Sequence, residues 1–160
     1  MDFFHSLLLI HIGLGELAGI CFLWVAIDTI NRTDKGLART KMVSIAGTIS
    51  VWLAWIAGGY YYAVHYGAKV KPVLIDKASS FKWAHKVVIE FKEHIFLFIP
   101  ILAVAAVLFY LKTNKWSDVD SKTLDKAGYL SILIFIMCFM MAGLGAIVSM
   151  AARSLIGGGV

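Results

Sequence analysis

Four long apolar runs dominate this chain and leave it few folds to choose from. A helix that crosses a bilayer needs about 20 mostly apolar residues. The runs extend over residues 3–27, 42–65, 84–111 and 128–152, and each meets that length. Lipid offers backbone N–H and C=O groups no partners, so a spanning segment must be a helix or part of a closed barrel. Barrel strands alternate apolar and polar residues over short stretches, and no such alternation is present. The chain is 60% hydrophobic and 16% charged, whereas soluble domains carry about 25% charged residues. These features predict an all-α, integral membrane, up-down-up-down four-helix bundle forming one domain over residues 1–160.

The connectors support this order. Residues 31–41 and 112–126 are short and polar, and short connectors make successive helices antiparallel neighbours. The stretch from Tyr66 to Trp83 contains Pro72, Phe81 and Trp83, and reads as a segment lying along the interface, where aromatic rings are favoured. The formal charge of +5 does not point to nucleic acid, because the basic residues flank the apolar runs. Eight of them (Arg32, Lys35, Arg39, Lys41, Lys112, Lys115, Lys122, Lys126) fall on one side. Seven (Lys69, Lys71, Lys77, Lys82, Lys86, Lys92, Arg153) fall on the other. The positive-inside rule then places both termini outside, in what reads as a bacterial inner membrane. Asp2 and His5 precede the first run without a basic region, so it reads as a span and not as a cleaved signal. Gly157 to Gly159 read as a flexible tail.

Ionisable groups inside apolar runs carry the functional signal, because each costs roughly 2.5–3.5 kcal/mol at a helix centre. His5, His11 and Glu16 lie in the first run, His65 closes the second, and His85, Glu90, Glu93 and His94 open the third. With alternating directions all five histidines share one membrane side. His11 lies 17 residues before Asp28, and His94 lies 18 before Lys112. Both imidazoles therefore stand about 26 Å from the basic face, level with each other on helices that are diagonal in an up-and-down bundle. Such a pair can ligate a group held between them, and Gly13, Gly15 and Gly19 would leave it room.

Glu90 and His94 are four residues apart on one helical face with Glu93 beside them, a donor set suited to a transition metal. His65 joins as a further ligand or an orienting group. Glu16 sits about 140° around the helix from His11 and shares a stripe with His5, which suggests a proton path or a hydrogen bond to another helix. Blander readings compete. Glu93 can pair with Lys86 or Lys92, and Tyr60 to Tyr62 read as an aromatic belt. Met137, Met140 and Met141 read as packing, as do Cys21 and Cys138, which show no zinc spacing. Pro100 reads as a kink.

The stretches Gly58-Gly59-Tyr60-Tyr61-Tyr62, Val70-Lys71-Pro72 and Glu90 through Phe96 resemble a group of short, uncharacterised four-span bacterial membrane proteins. That resemblance implies a four-helix membrane fold and no particular activity. In architecture, paired histidines across a four-helix bundle also resemble membrane b-type cytochromes. The expected function is a membrane metalloprotein that transfers electrons to a redox partner. Its cofactor would be haem b or a non-haem iron, copper or zinc ion on His11 and His94, with Glu90, Glu93 and His65 nearby. The alternatives are an accessory subunit that meets other membrane subunits, its small-residue motif Gly143-Leu144-Gly145 permitting close packing, and a proton or metal-ion transport protein using Glu16. No nucleophile triad or phosphate loop is present, so an enzyme is not expected.

Overall fold

In a computed structural model, residues 3–33, 35–76 and 79–156 are described. Asp2, Asp34, Lys77 and the glycine tail 157–159, which entered the readings above, lie outside them. Four helical stretches are long and apolar enough to cross a membrane: Phe3–Asn31, Gly36–Ile75, Ala84–Lys112 and Ser121–Leu155. All regular structure among the described residues is helical.

Helix α1 is Phe3–Asn31 and α2 is Gly36–Tyr61. A π-helical segment, Tyr62–Val70, then runs into α3, Lys71–Ile75. The second spanning stretch thus continues past His65, and the segment expected to lie along the interface is helical as far as Ile75. The cause is packing. Tyr66, Val70 and Leu74 recur every four residues and are buried, in one apolar cluster with Ala84, Val88 and Ile89 of the third stretch and Val148, Ala151 and Ala152 of the fourth. Pro72 is tolerated because it stands in the first turn of α3, where its missing N–H is least needed.

The third stretch is a π-helical segment, Ala84–Ile89, followed by α4, Glu90–Ile95, and α5, Phe98–Lys112. The turn at Phe96 and Leu97 separates the last two. Pro100 lies four residues after Phe96, so the Phe96 carbonyl loses its helical donor there. A short 3₁₀ turn, Trp116–Asp118, leads to α6, Ser121–Ile156.

Asp120 starts α6 by accepting the Thr123 backbone N–H at 3.0 Å on its Oδ1. Hydrogen bonds from the Thr123 side chain and backbone hold the Asp120 carboxyl below the usual carboxylate range. A depressed carboxylate pKa means the charged form favours the folded state. The cap therefore contributes stability above the ordinary aspartate pKa and loses it as pH falls through the lowered one. Asp120→Ala should lower the thermal midpoint at neutral pH, and the difference from wild type should close in acid. A difference of equal size at both pH values would refute the charged cap.

Helix α1 packs between α2 and α6, while α5 packs against α2 and α6. Contacts pair in opposite sequence order. His11 meets Ala54 and Gly58, and Cys21 meets Gly47. Asp28 meets Arg39, Gly19 meets Cys138 and Phe139, and Arg32 meets Asp125. Buried positions in α2 are mostly small, including Thr40, Ser44, Gly47, Ala54 and Ala57. Lipid is as apolar as leucine, so helices in a membrane associate by close packing and polar bonds, which small residues permit. Large apolar side chains such as Ile20, Trp52, Ile56, Leu133 and Ile136 are exposed around the outside, the pattern a lipid solvent allows.

The basic end is tied by polar bonds. Asp28 is only 2% exposed and receives two hydrogen bonds from the Arg39 guanidinium. Without that partner it would be an uncompensated buried charge. The Tyr110 hydroxyl donates to the Ala127 carbonyl at 3.1 Å and meets Thr29 at 3.0 Å and Ser131 at 3.1 Å. One phenol thus joins α1, α5 and α6. Trp116 Nε1 donates to the Thr33 carbonyl at 3.0 Å, securing one connector to the other.

Candidate functional site

The two π-helical segments face each other at the end opposite Asp28. Wider π turns are uncommon and concentrate at functional sites. Here they bring Tyr66 and His85 together: the Tyr66 hydroxyl and His85 Nδ1 share a 2.9 Å hydrogen bond, and both residues are buried. Tyr62 stacks on Tyr66 with ring centroids 5.1 Å apart and an interplanar angle of 20°. Its hydroxyl donates to the Glu93 carboxylate. A continuous chain thus runs from His85 through Tyr66 and Tyr62 to Glu93. Glu93 is engaged by a tyrosine and not by the lysines the sequence suggested.

His65 stands beside this chain without joining it. Its ring packs 4.6 Å from Phe4 and 5.2 Å from Tyr61, which links the start of α1 to the second stretch.

His11 points into the bundle. Its Nδ1 lies 2.7 Å from the Ala54 carbonyl, and since a carbonyl only accepts, Nδ1 carries the proton. The imidazole occupies the space a side chain on residue 58 would fill: a Cβ there would lie 2.5 Å from His11 Cε1 and Nδ1. Lys92 also turns inward, and a Cβ on Gly145 would meet its Nζ at 3.0 Å. His11 from α1 and Lys92 from α4 thus bring two polar side chains into the interior, against Gly58 of α2 and Gly145 of α6.

His94 faces the other way. It is exposed, and its Nδ1 donates to the Glu90 carbonyl of its own helix at 2.6 Å. Glu90 and Glu93 are also exposed, as are His5 and Glu16 on α1. No hydrogen bond or ring contact joins His11 to His94 among the described residues. Nor do three or more histidine, cysteine, aspartate or glutamate side chains there gather as a metal site would require. Gly13 and Gly15 border open space, while Gly19 is packed against Phe139 and Cys138.

Sequence reasoning missed Tyr62, Tyr66 and the inward Lys92. The four-residue recurrence of Tyr62, Tyr66, Val70 and Leu74 was the available signal that the helix continues and buries this face. No family model, curated protein or solved structure matches the chain.

Proposed function

We propose that this chain is an up-down-up-down four-helix bundle of a bacterial inner membrane, with both termini outside, and that it serves as an accessory subunit of a larger membrane assembly. The opposed contact order of neighbouring helices supports the topology, and the four long apolar stretches support insertion. The observation that carries the subunit reading is the direction of the ionisable groups. Glu16 lies near the middle of a spanning-length stretch and is exposed on the outside of the bundle, and Glu90 and His94 are exposed nearer the end of theirs. A charge facing lipid at a span centre costs roughly 2.5–3.5 kcal/mol, so such residues persist where another protein covers them. Extraction from native membranes in mild detergent should yield the chain in a complex of fixed stoichiometry, dissociated by the paired substitutions Glu16→Gln and His94→Ala. Migration as a lone 17.6 kDa chain would refute the reading.

One observation bears on a second reading, a redox metalloprotein with haem b or an iron, copper or zinc ion on His11 and His94, with Glu90, Glu93 and His65 nearby, which requires the outward His94 to turn toward His11. Both histidines have Nδ1 held by a backbone carbonyl, which leaves Nε2 free, and ligating histidines are commonly oriented in this way. An absorption spectrum with metal analysis of the purified protein tests it. A Soret band or stoichiometric metal, lost on His94→Ala, is the expected result, and neither signal in protein from metal-replete cells rejects it.

A further inference from the structure

Glu16 is the most deeply placed acid in the first spanning stretch, 13 residues after Phe3 and 15 before Asn31 of a 29-residue helix. It is exposed, and no ion pair or hydrogen bond engages its side chain among the described residues. Its neighbours along the outer surface are Leu9, Gly13, Ile20, Leu23 and Ile27, all exposed. They recur at alternating three- and four-residue steps, the spacing of a seam between two packed helices. Gly13 leaves the seam open beside Glu16, since a Cβ there would meet nothing within 4 Å. A mid-membrane carboxyl on an otherwise apolar seam calls for a partner of complementary charge at the same depth.

A second copy of this chain has no such charge to offer. The register of contacts sets Glu16 just beyond the level where Gly19 meets Phe139 and Cys21 meets Gly47, and the chain is apolar there in every helix. The described cations lie in connectors or toward the ends of the spanning stretches. Lys92, the innermost, is directed at Gly145 within the bundle.

We infer that the stripe of Leu9, Gly13, Glu16, Ile20, Leu23 and Ile27 seats a transmembrane helix of a different polypeptide carrying a lysine or arginine at mid-span. This rests on the subunit reading above and names the chemistry of the partner.

The probe is a leucine-rich spanning peptide with one central lysine, compared with the same peptide carrying leucine there. Each is reconstituted with donor-labelled full-length protein in phosphatidylcholine vesicles and followed by energy transfer as lipid is added. The lysine peptide should associate about three- to tenfold more tightly than its leucine twin, the scale of one polar bond between helices in lipid. The preference should vanish in Glu16→Gln and persist in Glu16→Asp. Equal association of both peptides with the wild-type protein overturns the inference, as does a lysine preference that survives Glu16→Gln. Energy transfer between two labelled copies of the protein, abolished by Glu16→Gln, would overturn it by assigning the seam to self-association. The peptide assay needs no native partner, so it can fail while the native complex stands, and the reverse.

Discussion

Truncating Tyr110 to alanine should destabilise the bundle by about 2–4 kcal/mol, with Tyr110→Phe costing about 1–2 kcal/mol. Tyr110 is fully buried, and its ring contributes to the core formed by Phe22, Val51, Ala103, Ala106 and Ile134. In a soluble protein such a truncation costs about 3–5 kcal/mol, part of it from lost transfer out of water. Helices separated in lipid keep their side chains in an apolar medium, so that transfer part shrinks and the cavity part remains. The hydroxyl adds the bonds to Thr29, Ser131 and Ala127. Single side-chain hydrogen bonds between membrane helices average about 0.6 kcal/mol, which keeps the phenylalanine variant closer to wild type. Unfolding in detergent against added SDS measures both. Equal losses for the two variants would show that the hydroxyl network dominates over the ring.

The division between what could and could not be read from residues alone follows the physics of each feature. The four long apolar helices were legible because an apolar run is a local property of the sequence. The inward His11 was also legible, since it sits on one uninterrupted helix whose angular spacing is regular, and that spacing set Glu16 about 140° away from it, although the sequence did not turn Glu16 outward. His94 was not. Its level follows from counting residues back from Lys112, but its facing depends on the π-helical Ala84–Ile89 and the turn at Phe96 and Leu97, each of which shifts the phase of the residues beyond it. Outward Glu90 and His94 and inward Lys92 follow from that altered phase. Asp28 with Arg39, and Tyr110 with Thr29 and Ser131, depend on helix–helix register, which no single run of residues encodes. Glu93 likewise found Tyr62 through the register between the second and third stretches.

Gly58→Ala should destabilise the protein while Gly59→Ala does not, and the two together test where the His11 imidazole lies. In a helix interior, glycine to alanine is ordinarily favourable by about 1 kcal/mol. At Gly59 a Cβ would meet nothing within 4 Å, so only that gain applies. At Gly58 the added carbon would stand 2.5 Å from two atoms of the His11 ring, and the ring is fixed in place by its bond to Ala54. Overpacking of this kind costs about 1–3 kcal/mol, and expelling the imidazole would also break the carbonyl bond. The net sign at Gly58 is therefore unfavourable by a margin that melting in detergent can resolve. Adding His11→Ala removes the obstacle, so the double variant should recover the alanine gain relative to His11→Ala alone. Gly58→Ala melting like Gly59→Ala, with or without His11, would place the imidazole away from α2. His11 would then not stand in the interior against Gly58.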